Sequence, residues 1–170
     1  MIFYYVLLGA VGLERVAELV VARRNAVWSA ARGGVETGRG HYPVMVALHT
    51  GLLVGCLVEP LAAHRTFLPL LGWPMIALVI AAQSLRWWCI ATLGPRWNTR
   101  VIVVPALPLV ETGPYRRLRH PNYVAVVVEG AALPLAGSAW ITACVFTVLN
   151  AALLTVRLRC ETRALTAAAA

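Results

Sequence analysis

The chain has 170 residues, of which 60% are hydrophobic and only 13% charged, with a formal net charge of +8. A soluble domain runs nearer half apolar and a quarter charged, so an integral membrane protein is expected and a freely soluble domain is excluded. Every basic residue is arginine and every acidic one glutamate. The arginines gather at the ends of apolar runs and do not interleave with aromatics on a polar platform, which speaks for membrane topology and against nucleic-acid binding.

The first apolar run predicts a helix over about residues 2–22, long enough to cross a hydrocarbon core of roughly 30 Å. It lacks a basic leader and carries Glu14 and Glu18, so it reads as a retained helix and not a cleaved signal. Arg23, Arg24, Arg32 and Arg39 follow in a glycine-rich connection ending at His41-Tyr42-Pro43. A second helix is expected over about residues 43–58, with a Gly51-x-x-x-Gly55 spacing that permits close helix contact. A third runs over about residues 67–93, bent near Trp73-Pro74. The polar loop of residues 94–121 holds Arg96-Trp97-Asn98-Thr99-Arg100, a β-like Val101-Ile102-Val103-Val104, and a segment dense in arginine, proline and tyrosine. Pro121 suits the first turn of a fourth helix, to about residue 135, because its missing N–H costs nothing there. Gly137-Ser138 reverses the chain into a fifth helix over about residues 140–157, continuing to 165; the last two look short for independent spans and read as a hairpin. The four cysteines, Cys56, Cys89, Cys144 and Cys160, contain no Cys-x-x-Cys pair and read as buried thiols, with no metal site.

The expected fold is therefore an all-α integral membrane protein of about five transmembrane helices. Residues 1–93 form the anchor and acceptor cavity, and residues 94–170 a catalytic, cofactor-binding region with helices four and five. Four arginines follow helix one, five lie in the 94–121 loop and three near the C-terminus, against Arg65 alone on the other side. The positive-inside rule then puts the N-terminus outside, and the C-terminus and the long loop in the cytoplasm of an inner (cell) membrane.

Glu14, Arg86, Glu129 and Asn150 each lie about seven residues from the arginine-rich end of a different helix, which is roughly 10 Å deep at 1.5 Å per residue. Asn122, Ala125, Glu129 and Ala132 share one helical stripe, and Asn150, Arg157 and Glu161 another. Structural ion pairs such as Arg86–Glu129 or Arg15–Glu18 would explain some of these charges. Convergence of four helices at one depth favours an acceptor cavity lined by Glu14, Arg86, Asn122 and Asn150, since intramembrane polar groups face a bundle interior.

Gly113-Pro114-Tyr115, then Arg119-His120-Pro121-Asn122-Tyr123, then Arg157-x-x-x-Glu161 near the C-terminus together resemble the isoprenylcysteine carboxyl methyltransferase family of integral membrane enzymes, over about residues 86–165. The N-terminal part, with Glu14-Arg15, Glu18, Arg23-Arg24-Asn25 and His41-Tyr42-Pro43, is similar to a bacterial branch associated with polyketide synthases, whose members methylate lipophilic phenols such as alkylresorcinols and alkylpyrones. The resemblance implies S-adenosylmethionine bound at the cytoplasmic side and a lipophilic acceptor arriving from the bilayer. It places His120, Pro121 and Tyr123 on the cofactor, Gly113 and Tyr115 around its pocket, Arg157 and Glu161 on its polar groups, and Arg119 beside the transferring methyl or acceptor oxygen. Two departures stand out: Ala125 where eukaryotic members usually have glycine, and Thr162 in place of a second acid after Glu161.

Methyl transfer from a sulfonium is an in-line displacement governed by positioning and by ionisation of the acceptor. A phenol gains from a neighbouring base whereas a carboxylate needs none, so Glu129 is expected to act as base or orienting group toward a phenol or enol. Alternatives are methylation of a lipid carboxylate held by Arg86 and Arg119, an NADPH-dependent membrane reductase of the sterol type, and a non-enzymatic membrane scaffold.

Overall fold

A computed structural model describes residues 1–105 and 107–169; Ala106 and Ala170 lie outside the described residues. Among the described residues there are five α-helices: α1 (Ile2–Ala30), α2 (His41–Ala62), α3 (Pro69–Leu93), α4 (Pro121–Ala136) and α5 (Trp140–Ala169). Two short strands, β1 (Val35–Thr37) and β2 (Val101–Val103), pair antiparallel with Glu36 opposite Ile102. The C-termini of α1, α3 and α5 and the N-termini of α2 and α4 share one end of the bundle, with the ribbon and most of the arginines.

α1 outruns its predicted end by two turns. Its buried positions, Tyr4, Leu8, Val11, Glu18, Ala22, Asn25 and Ser29, recur every three or four residues, so one stripe faces the bundle along the whole helix. Arg23 and Arg24 do not break a helix, and Asn25 is held by donating to the carbonyls of Trp97 at 2.8 Å and Gly94 at 3.1 Å. Asn98 returns a bond to Ala22 O at 3.0 Å. These tertiary bonds, invisible in local sequence, carry α1 past the expected boundary.

α4 lies between α3, with which it shares the most extensive interface in the molecule, and α5. Its buried face is mainly small: Ala125, Gly130, Ala132 and Ala136, with Leu133. Tyr4, Val11, Cys56, Val79, Leu133 and Phe146 form the main core toward the end remote from the ribbon. Of the Gly51-x-x-x-Gly55 pair only Gly55 makes a close helix contact. A Cβ there would stand 2.6 Å from Thr142 Oγ1 on α5, whereas Gly51 faces open space.

α2, α3 and α5 are long and apolar enough to cross a membrane. α5 is thus not the short helix expected from the sequence. α1 carries Glu14, Arg15 and Glu18 within its central part, and α4 has 16 residues. Large apolar side chains point outward from the bundle, including Leu70 at 97% exposure and Leu13 at 74%. A surface of this kind is stable facing hydrocarbon, and the protein is an integral membrane protein.

At the end opposite the ribbon, Glu59 on α2 caps α5. Its Oε1 accepts from the Ile141 N–H at 3.0 Å, and its Oε2 from the Thr142 N–H at 2.7 Å and the Thr142 hydroxyl at 2.8 Å. The free N–H groups and positive dipole end of α5 are thereby met by a carboxylate from another helix. Glu59→Ala is expected to cost about 1 kcal/mol or somewhat more. The check is a lowered thermal midpoint in detergent, with Glu59→Gln falling between the two.

Candidate active site

Two polar clusters lie one above the other near the ribbon end of the bundle. The deeper one joins α1, α3 and α4. Arg15 donates through Nη1 to Glu18 Oε2 at 2.6 Å, and through Nη2 to both oxygens of Glu129 at 2.8 and 2.9 Å. Arg86 donates through Nη2 to Glu129 Oε2 and through Nε to Gln83 Oε1 at 3.3 Å. Gln83 also accepts from Arg15 at 3.1 Å and gives its NH2 to Glu14, whose other oxygen accepts from Trp87 Nε1 at 3.0 Å. Arg86, Glu18 and Glu129 are each 4% exposed. Charges buried so deeply persist only when paired and hydrogen-bonded, and here two guanidiniums face two carboxylates.

The shallower cluster joins the start of α4 to the far part of α5. Arg157 Nε donates to the Tyr123 hydroxyl at 2.9 Å, and that hydroxyl donates to Glu161 Oε2. Arg157 also donates to Thr99 O at 2.6 Å and touches the Met45 thioether, so one guanidinium holds α5, α4, α2 and the segment before β2. His120 precedes the first turn of α4 and stacks on Tyr123, with ring centres 5.5 Å apart and planes 21° from parallel. Its Nδ1 is 3.7 Å from Glu161 Oε1.

A cleft of about 930 Å³ of empty space, its open mouth included, connects the clusters. Arg15, Glu18 and Arg86 line its deep end, and Tyr123, Arg157 and Thr99 its upper part. Asn122 and Asn150 lie along one wall, and Leu19, Val46, Leu53, Val126, Leu153 and Leu154 supply the apolar surface. Residues from both halves of the chain line it. Tyr42, in the first turn of α2 just after the 31–40 connection, also lines the cleft. Arg100 sits 4.6 Å over the Tyr42 ring and 3.4 Å from Glu36 of β1, so the ribbon is tied to this wall.

Arg86, Asn122, Tyr123, Asn150 and Arg157 are thus brought to one cleft, with His120 and Glu161 bonded or stacked behind Tyr123. Pro121 is buried in the first turn of α4 and fixes where that turn begins. Gly113 and Tyr115 are not on this cleft. Gly113 has φ +56°, which favours glycine, and a Cβ there would meet Thr92 Oγ1 at 2.6 Å, so it docks the loop onto α3. Tyr115 packs beside the buried Cys89, and burial holds its phenol above the ordinary range. Arg119 is exposed, off the cleft, and makes no ion pair among the described residues. Glu14 is turned onto Gln83 and Trp87 and does not line the cleft. Glu129 is not an open base, because its oxygens are occupied by Arg15 and Arg86 and it lies behind them.

Arg15 and Glu18 on α1, and His49 and Thr50 on α2, are polar cleft residues that counting depth does not select. Counting seven residues from the assumed end of α1 selects Glu14, but the helix rotates Glu14 away and presents positions 15 and 18. The stripe of Tyr4, Leu8 and Val11, extended by seven, leads to Glu18 and was the available signal.

The isoprenylcysteine carboxyl methyltransferase (ICMT) family profile matches residues 75–167. The chain belongs to the isoprenylcysteine carboxyl methyltransferase family. It is accordingly a membrane methyltransferase, and the matched region spans α4, α5 and most of α3, including Arg86, Tyr123, Asn150, Arg157 and Glu161. The uncharacterized protein YpbQ of Bacillus subtilis (strain 168) is 37% identical over 163 residues, covering 95% of this chain and 96% of YpbQ. No solved structure matches the chain.

Removing the Glu129 carboxylate leaves Arg86 and Arg15 without their main partner inside the bundle. Glu129→Ala is expected to destabilise the protein by about 3–5 kcal/mol. The expected observation is a large drop in thermal midpoint in detergent, partly relieved when Arg86→Met is added, because the second change removes the orphaned charge.

Proposed function

We propose that the protein is an S-adenosylmethionine-dependent O-methyltransferase whose lipophilic acceptor is a phenol or enol of an alkylated polyketide. The observation that supports this most is the cleft itself, with apolar walls suited to a lipid-like chain, a charged floor for a polar head, and the Tyr123–Arg157–Glu161–His120 cluster at its upper part.

The upper cluster fits the methyl donor by its chemistry. Among the described residues Glu161 Oε1 makes no hydrogen bond, with His120 Nδ1 at 3.7 Å, and it can take a hydroxyl or ammonium. The stacked His120 and Tyr123 rings offer a planar surface, and the Trp97 indole N–H, buried at the cleft without a partner, is a donor for a carboxylate. Bound there, S-adenosylmethionine would supply an electrophilic methyl group. The protein's own part is to hold the acceptor oxygen in line at the junction of the clusters and keep water out with Leu19, Val126, Leu153 and Leu154. Arg157 acts here as a positioning residue for Tyr123 and Glu161. Arg119 and Glu14 have no role in this arrangement, and Glu129 serves to hold Arg15 and Arg86. Placement of the arginine-rich end in the cytoplasm would give the cleft access to the water-soluble donor, and a polyketide synthase is the kind of enzyme that would supply the acceptor.

A second reading, methylation of a lipid carboxylate, is favoured by the family's description and by Arg15 and Arg86 at the cleft floor.

In detergent, purified protein is expected to bind S-adenosylhomocysteine and not NADPH. Arg157→Ala is expected to weaken that binding at least about tenfold, the equivalent of roughly 1.4 kcal/mol. Binding of NADPH alone would assign the protein to reductase chemistry, and binding of neither would leave a scaffold.

A further inference from the structure

The cleft is unevenly equipped for hydrogen bonding. Among the described residues, three fully buried oxygens of its lining side chains have no hydrogen-bond partner, Glu18 Oε1, Asn122 Oδ1 and Asn150 Oδ1, as does one fully buried donor, Trp97 Nε1; the His49 ring and the Thr50 hydroxyl line the cleft as well. A buried polar atom left unpaired costs about 1–3 kcal/mol, so a group of open acceptors marks a place where a ligand brings hydrogens. An amide can turn to present its NH2 in place of its oxygen, but a carboxylate has no such alternative. Glu18 therefore sets the chemistry on the α1 side of the cleft; facing it from α2 is His49, whose Nδ1 is 2.9 Å from Met45 O, and Arg15 and Arg86 are the charged groups beside both.

Its two oxygens differ. Oε2 is fixed by Arg15 Nη1 at 2.6 Å. Oε1 has Arg86 Nε at 3.4 Å, but that N–H is directed to Gln83 Oε1. Glu129, one turn of the network away, has no comparable opening. A carboxylate ligand brought against Glu18 Oε1 would set two anions together in a buried site. A hydroxyl would satisfy it.

We propose that Glu18 is a catalytic residue, the proton acceptor for a hydroxyl-bearing lipophilic substrate whose further polar groups donate to Asn122 and Asn150. This rests on the methyl-transfer reading above. In the reacting step the acceptor O–H bond breaks and its proton passes to Glu18 Oε1. The oxygen electron pair forms the new bond to the methyl carbon, and the carbon–sulfur pair remains on sulfur. A sulfonium and a carboxylate thus become a neutral thioether and a neutral carboxylic acid, which balances charge as well as atoms. Arg15 keeps Glu18 aimed throughout, while Glu129 holds both guanidiniums in place.

The test uses purified protein in detergent, saturated with S-adenosylhomocysteine, and three probes: 4-dodecylphenol, its methyl ether and dodecanoate. The phenol is expected to bind at least about tenfold more tightly than the ether, the value of one well-made buried hydrogen bond. In Glu18→Gln, Arg15 claims the amide oxygen and the NH2 faces the cleft, so that preference should collapse while S-adenosylhomocysteine binding persists. With S-adenosylmethionine supplied, methylation by the wild type should be nearly flat between about pH 7 and 9, whereas Glu18→Gln should gain about tenfold per pH unit because only pre-ionised phenol reacts. Glu18→Asp should restore the flat profile at reduced rate. A Glu18→Gln protein with both the phenol preference and the flat profile intact would overturn the proposal, as would tighter binding of dodecanoate than of phenol. Should Glu18→Gln not fold, the wild-type phenol-to-ether ratio and the Glu18→Asp profile still decide. Failure of the wild type to bind S-adenosylhomocysteine would instead remove the methyl-transfer reading.

Discussion

The constraint on which the rest of this molecule depends is the pairing of Arg15 and Arg86 with Glu18 and Glu129 inside a bundle of apolar helices. Each of α1, α3 and α4 contributes charge that it could not carry alone through a hydrocarbon layer. Together the groups neutralise one another, fix the rotation of three helices about their axes, and leave an opening beside α2 and α5. Glu129 saturates the network by engaging both arginines. Glu18 is hydrogen-bonded on one oxygen only, its other lying 3.4 Å from Arg86 Nε without a hydrogen bond, and the cleft begins beside it.

A second tie sets the other wall. Arg157 reaches Tyr123, Thr99 and Met45, so the far part of α5, the start of α4, α2 and the segment leading into β2 are held by one side chain. Between the two ties the walls are mostly Leu, Val and Met, with polar groups at the ends of the cleft, along the Asn122–Asn150 wall, and at His49 and Thr50 on α2. This division suits an amphiphile: the chain lies along the apolar wall, and the head meets charge. The Arg100–Tyr42 contact ties the ribbon to the same space, giving the 31–40 connection a structural reason to return toward the bundle.

Much of the candidate cleft's lining was legible, and the residues that lie elsewhere share a cause. Tyr123, Arg157 and Glu161 are linked by spacing along α4 and α5, and the motif around Pro121 located the helix start that the structure has. Arg86 and Asn150 were found because a charge or amide within an apolar run is conspicuous on its own. Glu14 and Glu18 are equally conspicuous, and only the direction each faces separates them. A four-residue step on a helix moves a side chain by about 40° around the axis, and neighbours decide whether that suffices to leave the cleft. Arg119 was drawn in by its place in the motif, yet the loop turns it outward. The strand at Val101–Val103 was anticipated from its β-branched run, but its partner Val35–Thr37 has no local signal, because three residues show no alternation.

By itself the sequence determined the class of protein, the family, the order and approximate spans of five helices, and the end of the bundle near which the candidate cleft lies. These follow from composition, from apolar run length, and from arginines placed where helices emerge from hydrocarbon, all of which are local properties. Only the tertiary structure decided which glutamate is engaged on both oxygens and which is left half open, how far α1 continues, and that Gly113 serves the docking of a loop. Those outcomes depend on helix rotation and on bonds between residues tens of positions apart, where one hydrogen bond more or less at a buried carboxylate separates a structural ion pair from a group with an oxygen to spare.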